Sequence, residues 1–272
     1  MGTLLCFHAH PDDEAIATGG SMARAHDEGH RVILVVATDG AHGETPGDLV
    51  AGESLVERRR LETDASAAAL GVDRVAFLGY RDSGMTGWEA NDHPDSFWQA
   101  ELDTAAERLA AILREERVDV LTIYDWHGGY GHPDHVKVHR VGRRAAELVA
   151  ADLPELRVLE STMNRDEMRR GLAEAAEMGL ETADDDGEPF DPDAPMDDGN
   201  PMGTPEAEIT LGVDVSDFID RKRQAIAAHR SQVDESSFFL QMPAEQFAQA
   251  FGREWFIEPD REPGPREGWL FE

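Results

Sequence analysis

Four short aliphatic runs recur through the first half of this chain: TLLCFHA (3–9), RVILVVAT (31–38), DRVAFLG (73–79) and VDVLTIY (118–124). Segments with apolar residues at helical spacing lie between and after them: Glu14–Glu28 closed by Gly29, 53–70 stopped by Gly71, 99–117, and 134–150. Strands that alternate with helices predict βαβ units, and runs apolar on both faces predict a mostly parallel sheet buried under helices on each side. This one feature excludes sandwiches, barrels of hairpins and helical bundles.

The expected fold class is therefore α/β and Rossmann-like. No G-x-G-x-x-G follows the first strand, and GGYG (128–131) lacks the lysine and spacing of a phosphate loop, so nucleotide binding is set aside. At 272 residues the chain is expected to hold a catalytic domain over 1–155 and a smaller C-terminal α+β subdomain over 156–272 that walls a cleft. In that second part LRVLESTM (156–163) and EITLGVDV (208–215) read as strands, and 164–180 as an amphipathic helix. Residues 216–232 read as a helix capped by Ser216. Residues 183–204 are rich in Asp, Pro and Gly and read as a solvated loop. Their nearest match to a calcium loop, from Thr182, has the wrong residue types at its first and last positions. The aromatic tail is expected to pack onto the first domain.

The net charge of −31, from 56 acidic and 25 basic side chains, disfavours nucleic acid and anionic membranes as partners. No apolar run is long enough to span a bilayer, and the single Cys6 sits inside a core strand, so a cytoplasmic protein is expected. The excess of acid over lysine also matches proteins of high-salt environments.

In parallel sheets ligands collect at the carboxyl ends of strands. Here those ends carry HAHPDDE (8–14), ATDGAHGE (37–44), GYRDSGM (79–85) and DWHGGYGHPDH (125–135). Two imidazoles and three carboxylates crowd the first of these, a costly arrangement unless something neutralises the charge. A divalent cation does so. His10 and Asp13 are three residues apart in a turn, and His132 and His135 repeat that spacing at another strand end. A third His-Pro-Asp at His93 has no further His or acid close behind it and counts against reading the tripeptide alone.

The pair AHPDDE and GGYGHPDH resembles the signature of the PIG-L/LmbE family of zinc-dependent N-acetylglucosaminide deacetylases. RDSGM (81–85), RRLE (59–62) and AHRSQ (228–232) resemble the mycothiol-linked members, the deacetylases and the S-conjugate amidases. The resemblance implies a metal site of His10, Asp13 and His135, holding Zn2+, with Fe2+ also compatible with the donors. It implies Asp12 as general base, and His132 as the group that assists the intermediate and protonates the leaving amine, with Asp134 orienting it. Tyr130 matches a tyrosine of the oxyanion site, and Arg59 and Asp82 match sugar-contacting positions. The implied reaction is removal of an N-acetyl group from a small-molecule amino-sugar conjugate. Amidase action on a larger thiol S-conjugate, or a metal-stabilised sugar-binding module without turnover, are the other readings. Oligomeric state is left open.

Several residues keep plainer readings beside these. His8 reads as a hydrogen-bonded support, Glu14 as a first-turn carboxylate, His42 as solvated, and His127 and His139 as structural. Arg59 could be a surface arginine, Asp82 a turn residue, and Trp88 and Trp126 either sugar platforms or packing residues.

Overall fold

The computed structural model describes residues 1–177 and 190–272. Most of the calcium-loop match and the start of the acidic loop lie outside the described residues. Eight strands form one sheet: β1 (Thr3–His8), β2 (Arg31–Thr38), β3 (Arg74–Tyr80), β4 (Val120–Tyr124), β5 (Arg157–Thr162), β6 (Leu211–Asp214), β7 (Arg253–Ile257) and β8 (Arg266–Glu267). Their order is β3-β2-β1-β4-β5-β7-β6-β8. The first five are mutually parallel, whereas β7 runs antiparallel to both β5 and β6.

The helices are α1 (Asp13–Ala17), α2 (Gly19–Asp27), α3 (Leu55–Leu70), α4 (Leu102–Glu116), α5 (Pro133–Val149), α6 (Arg165–Glu177), α7 (Ile219–Ala228), α8 (Phe238–Gln241) and α9 (Ala244–Phe251). β1 shows why both faces must be covered. Leu5 and Phe7 pack with α4 and α5, while Leu4 and Cys6 pack with α2 and α7. Alternation sends successive side chains to opposite faces, so a strand between two helical layers is apolar throughout. Burial also pushes the Cys6 thiol up to about 12, leaving it an inert core group. No helix among the described residues is long and apolar enough to cross a membrane.

Local signals set several boundaries. Ser54 and Glu57 form a reciprocal capping box at the start of α3, and Gly71 closes it in the left-handed region at φ 78°. The helix expected over 14–28 is instead broken at Thr18. The side chain of Thr18 is engaged by His8 Nε2 at 2.8 Å, and Gly20 lies so close to Val215 that a Cβ there would sit 2.5 Å from that side chain. The break turns α2 so that its first amides meet a buried carboxylate: Gly20 and Ser21 donate to Glu254 at 2.8 and 2.9 Å. Lys222 completes that pair at 2.7 Å, so a residue of β7 and one of α7 lock the chain's beginning to its end. Both lysines of the sequence, Lys137 and Lys222, are buried, which leaves the surface cations to arginine.

Ser216 does not cap α7. Its hydroxyl donates to Asp214 at 2.6 Å within a short 3-10 turn over Ser216–Phe218, and the helix begins after it. The helix also stops at Ala228, short of the expected 232, because His229 turns inward. The tail supplies β7, a strand that the sequence pattern did not signal, and it bridges β5 to β6.

Candidate active site

The strand order reverses between the parallel neighbours β1 and β4: the chain winds outward from β1 through β3, then returns to place β4 on the other side. Loops that leave adjacent strands in opposite directions open a crevice at such a switch point. The turn after β1 carries His10, Asp12 and Asp13, and the loop after β4 carries Tyr130, His132, Asp134 and His135. The sheet thus brings together residues more than a hundred positions apart.

Asp13 lies between two imidazoles. One carboxylate oxygen accepts the His10 backbone N–H at 2.8 Å and lies 3.3 Å from His10 Nδ1, and the other lies 3.4 Å from His135 Nε2. His135 Nδ1 donates to the Gly128 carbonyl at 3.1 Å, which leaves the lone pair on Nε2; that buried nitrogen has no hydrogen-bond partner. Tyr124 stacks on the His135 ring at 4.5 Å and fixes its plane. A backbone-anchored imidazole with its other nitrogen unprotonated and unpartnered is the form a metal ligand takes. The donor set therefore fits a divalent cation. Among the described residues, the groupings whose potential ligand atoms all lie within 4.8 Å of one another are His10, His132 and His135, and His10, Asp82 and Asp134, so His10 is common to both and Asp13 belongs to neither.

Asp12 has a left-handed backbone, φ 106°, unusual for a residue with a side chain and costing on the order of 1–3 kcal/mol. Burial, opposed by Arg59, raises its pKa to about 6, a value suited to a base near neutrality.

Arg59 departs from the plainer of the two readings made of it. It is 3% exposed, so it is not a surface residue. Its guanidinium donates to the carbonyls of Pro11 and Gly40 and to Asp12 Oδ2, the last at 3.1 Å. Asp134 is corrected as well. Its carboxylate does not orient His132; it accepts Ser83 N and Oγ and lies 3.2 Å from His10 Nε2. His132 is the N-cap of α5, and its Nδ1 accepts the Asp134 N–H at 3.1 Å. Burial, then the neighbouring His10 and His135, lower its pKa to about 2. With Nδ1 accepting that amide, a proton carried by the ring in this arrangement sits on Nε2.

Asp82 behaves as a turn residue turned toward the cluster. It accepts Gly84 and His42 amides at 2.8 and 3.0 Å and sits 3.6 Å from His10 Nε2. Tyr130 places its ring 4.9 Å from that of His135 and 6.2 Å from that of His132, and burial raises its phenol so that it keeps its proton. Its loop is pinned by Asp125, which accepts the amides of His127 and Gly129 and the hydroxyl of Thr162. Gly128 has positive φ and lies against His135 so closely that no Cβ fits. Asp198, from the described part of the acidic loop, reaches 3.5 Å from His127.

His8 is the buried support expected of it, bonded to Tyr124 and Thr18 at 2.8 Å. His42 is not solvated: its ring packs edge-on against Trp88, 6.0 Å between centroids. Glu14 does lie in the first turn of α1, but it is wholly buried and paired with His229 at 2.6 Å, a partnership that no local pattern indicates. The AHRSQ motif was the available signal.

The family model described as "PIG-L: GlcNAc-PI de-N-acetylase" matches residues 5–146. A 1D-myo-inositol 2-acetamido-2-deoxy-alpha-D-glucopyranoside deacetylase of Thermobifida fusca is 43% identical, covering 85% of this chain and 83% of its own. The enzyme of the same name from Acidothermus cellulolyticus is 39% identical, covering 94% and 88%. Among solved structures, an N,N'-diacetylchitobiose deacetylase from Pyrococcus horikoshii shares the fold with a TM-score of 0.59 and 23% identity, over 94% of this chain and 82% of that one. With more than half of the chain matched by the family model and relatives aligned over most of its length, this protein belongs to the PIG-L family.

Proposed function

We propose that this chain is a metal-dependent N-deacetylase acting on an amino-sugar conjugate of the N-acetylglucosaminyl-inositol type. The observation that carries the reading is Asp13 lying between His10 and His135, with Asp12 beside it and a buried imidazole lone pair left without a partner. The names of relatives aligned over most of the chain support the substrate class.

His10, Asp13 and His135 would hold the ion, Zn2+ by the character of the donors, with Fe2+ also accepted. Bound there, it would acidify a water and polarise the substrate's amide carbonyl. Asp12 takes the proton of the attacking water. The His132 Nε2–H and the Tyr130 phenol donate hydrogen bonds to the oxygen on which negative charge develops. As the C–N bond breaks, the proton held by Asp12 passes to the departing nitrogen, so acetate and a free amine are released. Asp134 and Ser83 fix His10, and Arg59 fixes Asp12. With Arg59 and Asp82 engaged inside the protein, the exposed indoles of Trp88 and Trp126, 49% and 58% accessible, offer the apolar faces on which a sugar ring stacks. The loop carrying Asp198 supports residues 156–272 as a wall of the cleft.

The test is release of primary amine by purified, zinc-loaded protein from N-acetylglucosamine, its inositol conjugate and thiol S-conjugates. Turnover of the inositol conjugate, stopped by a chelator and restored by zinc, is expected. Preference for S-conjugates would select the amidase reading, and absence of release from all three overturns both.

A further inference from the structure

We infer that the buried Glu14–His229 pair is a positioning device that, with Arg59, holds Asp12 in its strained backbone conformation. The inference rests on the deacetylase reading, in which Asp12 is the base.

A left-handed aspartate persists only when its surroundings over-determine it. Asp12 is gripped at three points. Its own N–H donates to Glu14 Oε2 at 3.0 Å, the carbonyl before it accepts Arg59, and its Oδ2 accepts Arg59 at 3.1 Å. Glu14 in turn must be held. A buried carboxylate without partners would neutralise or swing away. Glu14 Oε1 accepts Ser66 Oγ at 2.5 Å and His229 Nε2 at 2.6 Å. His229 is wholly buried, and its Nδ1 has no partner, so Glu14 is the one hydrogen-bonding contact of its side chain among the described residues.

The frame behind these contacts is one face of α3. Arg59, Glu62 and Ser66 fall at helical spacing and are all buried. Arg59 holds Asp12, Ser66 holds Glu14, and Glu62 accepts the N–H and hydroxyl of Ser231 at 2.8 and 2.6 Å. The last pair fixes the segment that delivers His229. The RRLE and AHRSQ motifs thus meet to set the backbone of the residue at position 12.

A pair that merely tied α7 to α1 would affect stability alone, so the test reads geometry and turnover separately. In His229→Ala, kcat should fall about 30- to 100-fold, the loss expected of a misplaced reacting group, with KM and zinc content within about twofold of wild type. Amide hydrogen exchange at Asp12, followed by NMR in the metal-free protein, should quicken about tenfold as the bond to Glu14 loosens. His229→Gln, which keeps an N–H donor, should recover most of kcat. Should His229→Ala fail to fold, Ser66→Ala removes one bond to the same carboxylate and should lower kcat about fivefold with faster Asp12 exchange. A kcat within threefold of wild type in folded His229→Ala, unchanged exchange at Asp12, or a loss that follows zinc content overturns the inference. If the wild-type protein releases no amine, the functional reading fails instead, and the exchange measurement alone decides whether the pair sets Asp12.

Discussion

The turns at His10–Asp13 and His132–His135 begin with the same three residues, His-Pro-Asp, and are built in opposite senses. In the first, Pro11 precedes the N-cap, Asp12 takes φ 106°, and the helix that follows has only five residues. In the second, His132 is itself the N-cap, Pro133 occupies the first helical position, and α5 continues for 17 residues. The consequence is chemical. Asp12 keeps 21% of its side chain open to the crevice, at the expense of backbone strain, whereas Asp134 is wholly buried and spends its carboxylate on Ser83 and His10. The third copy, His93-Pro94-Asp95, closes on itself through the Asp95 N–H and His93 Nδ1 at 3.2 Å and, among the described residues, joins no grouping of ligand atoms. The tripeptide makes a turn; the strand end it follows, and what faces it, decide whether the turn does chemistry.

The largest expected effect falls on the first turn. Asp12→Ala should lower kcat about 10³-fold, within the range for loss of a general base, while zinc content measured by metal analysis stays at one per chain. A variant that turns over normally would remove the contrast between the two turns. Next comes His132→Ala, with about a 10²-fold fall in kcat and little change in KM, since a donor to developing charge acts in the transition state. Asp134→Asn should act through the metal: about a tenfold weaker zinc affinity in competition with a chelator, and kcat largely restored at saturating zinc. If Asp134→Asn instead lowers kcat at full zinc occupancy as far as His132→Ala does, the two turns are more alike than their geometry indicates. His93→Ala, at the third copy, should change kcat, KM and melting temperature by nothing measurable.

Much of this was legible in the chain itself. Continuous β-branched runs demand burial on both faces, and Ser54, Glu57 and Gly71 mark a helix through groups that act within one turn of it. The clustering of ligand-type residues at two strand ends pointed to one crevice for the same local reason. What failed to read were the partners. Arg59 stands in the run Arg58–Arg60, and nothing nearby in sequence says that the middle guanidinium turns inward to the residue at position 12. For Asp134, two residues from His132, the family resemblance implied that it orients that ring; the helix start turns the side chains apart and gives His132 the Asp134 amide instead. The break at Thr18 depends on Val215 and Glu254, both far along the chain.

By itself, then, the sequence determined the period of its strands, the ends of its best helices and which residue types crowd the strand termini, because propensity, capping and hydrophobic periodicity act over a few residues. The tertiary structure alone decided which carboxylate stays partly open and which is wholly buried, which ring nitrogen goes without a partner, and that His229 stands behind Glu14. Those outcomes depend on burial and on distances between groups as far as 215 residues apart, and desolvation and Coulomb forces are set by what the fold brings together.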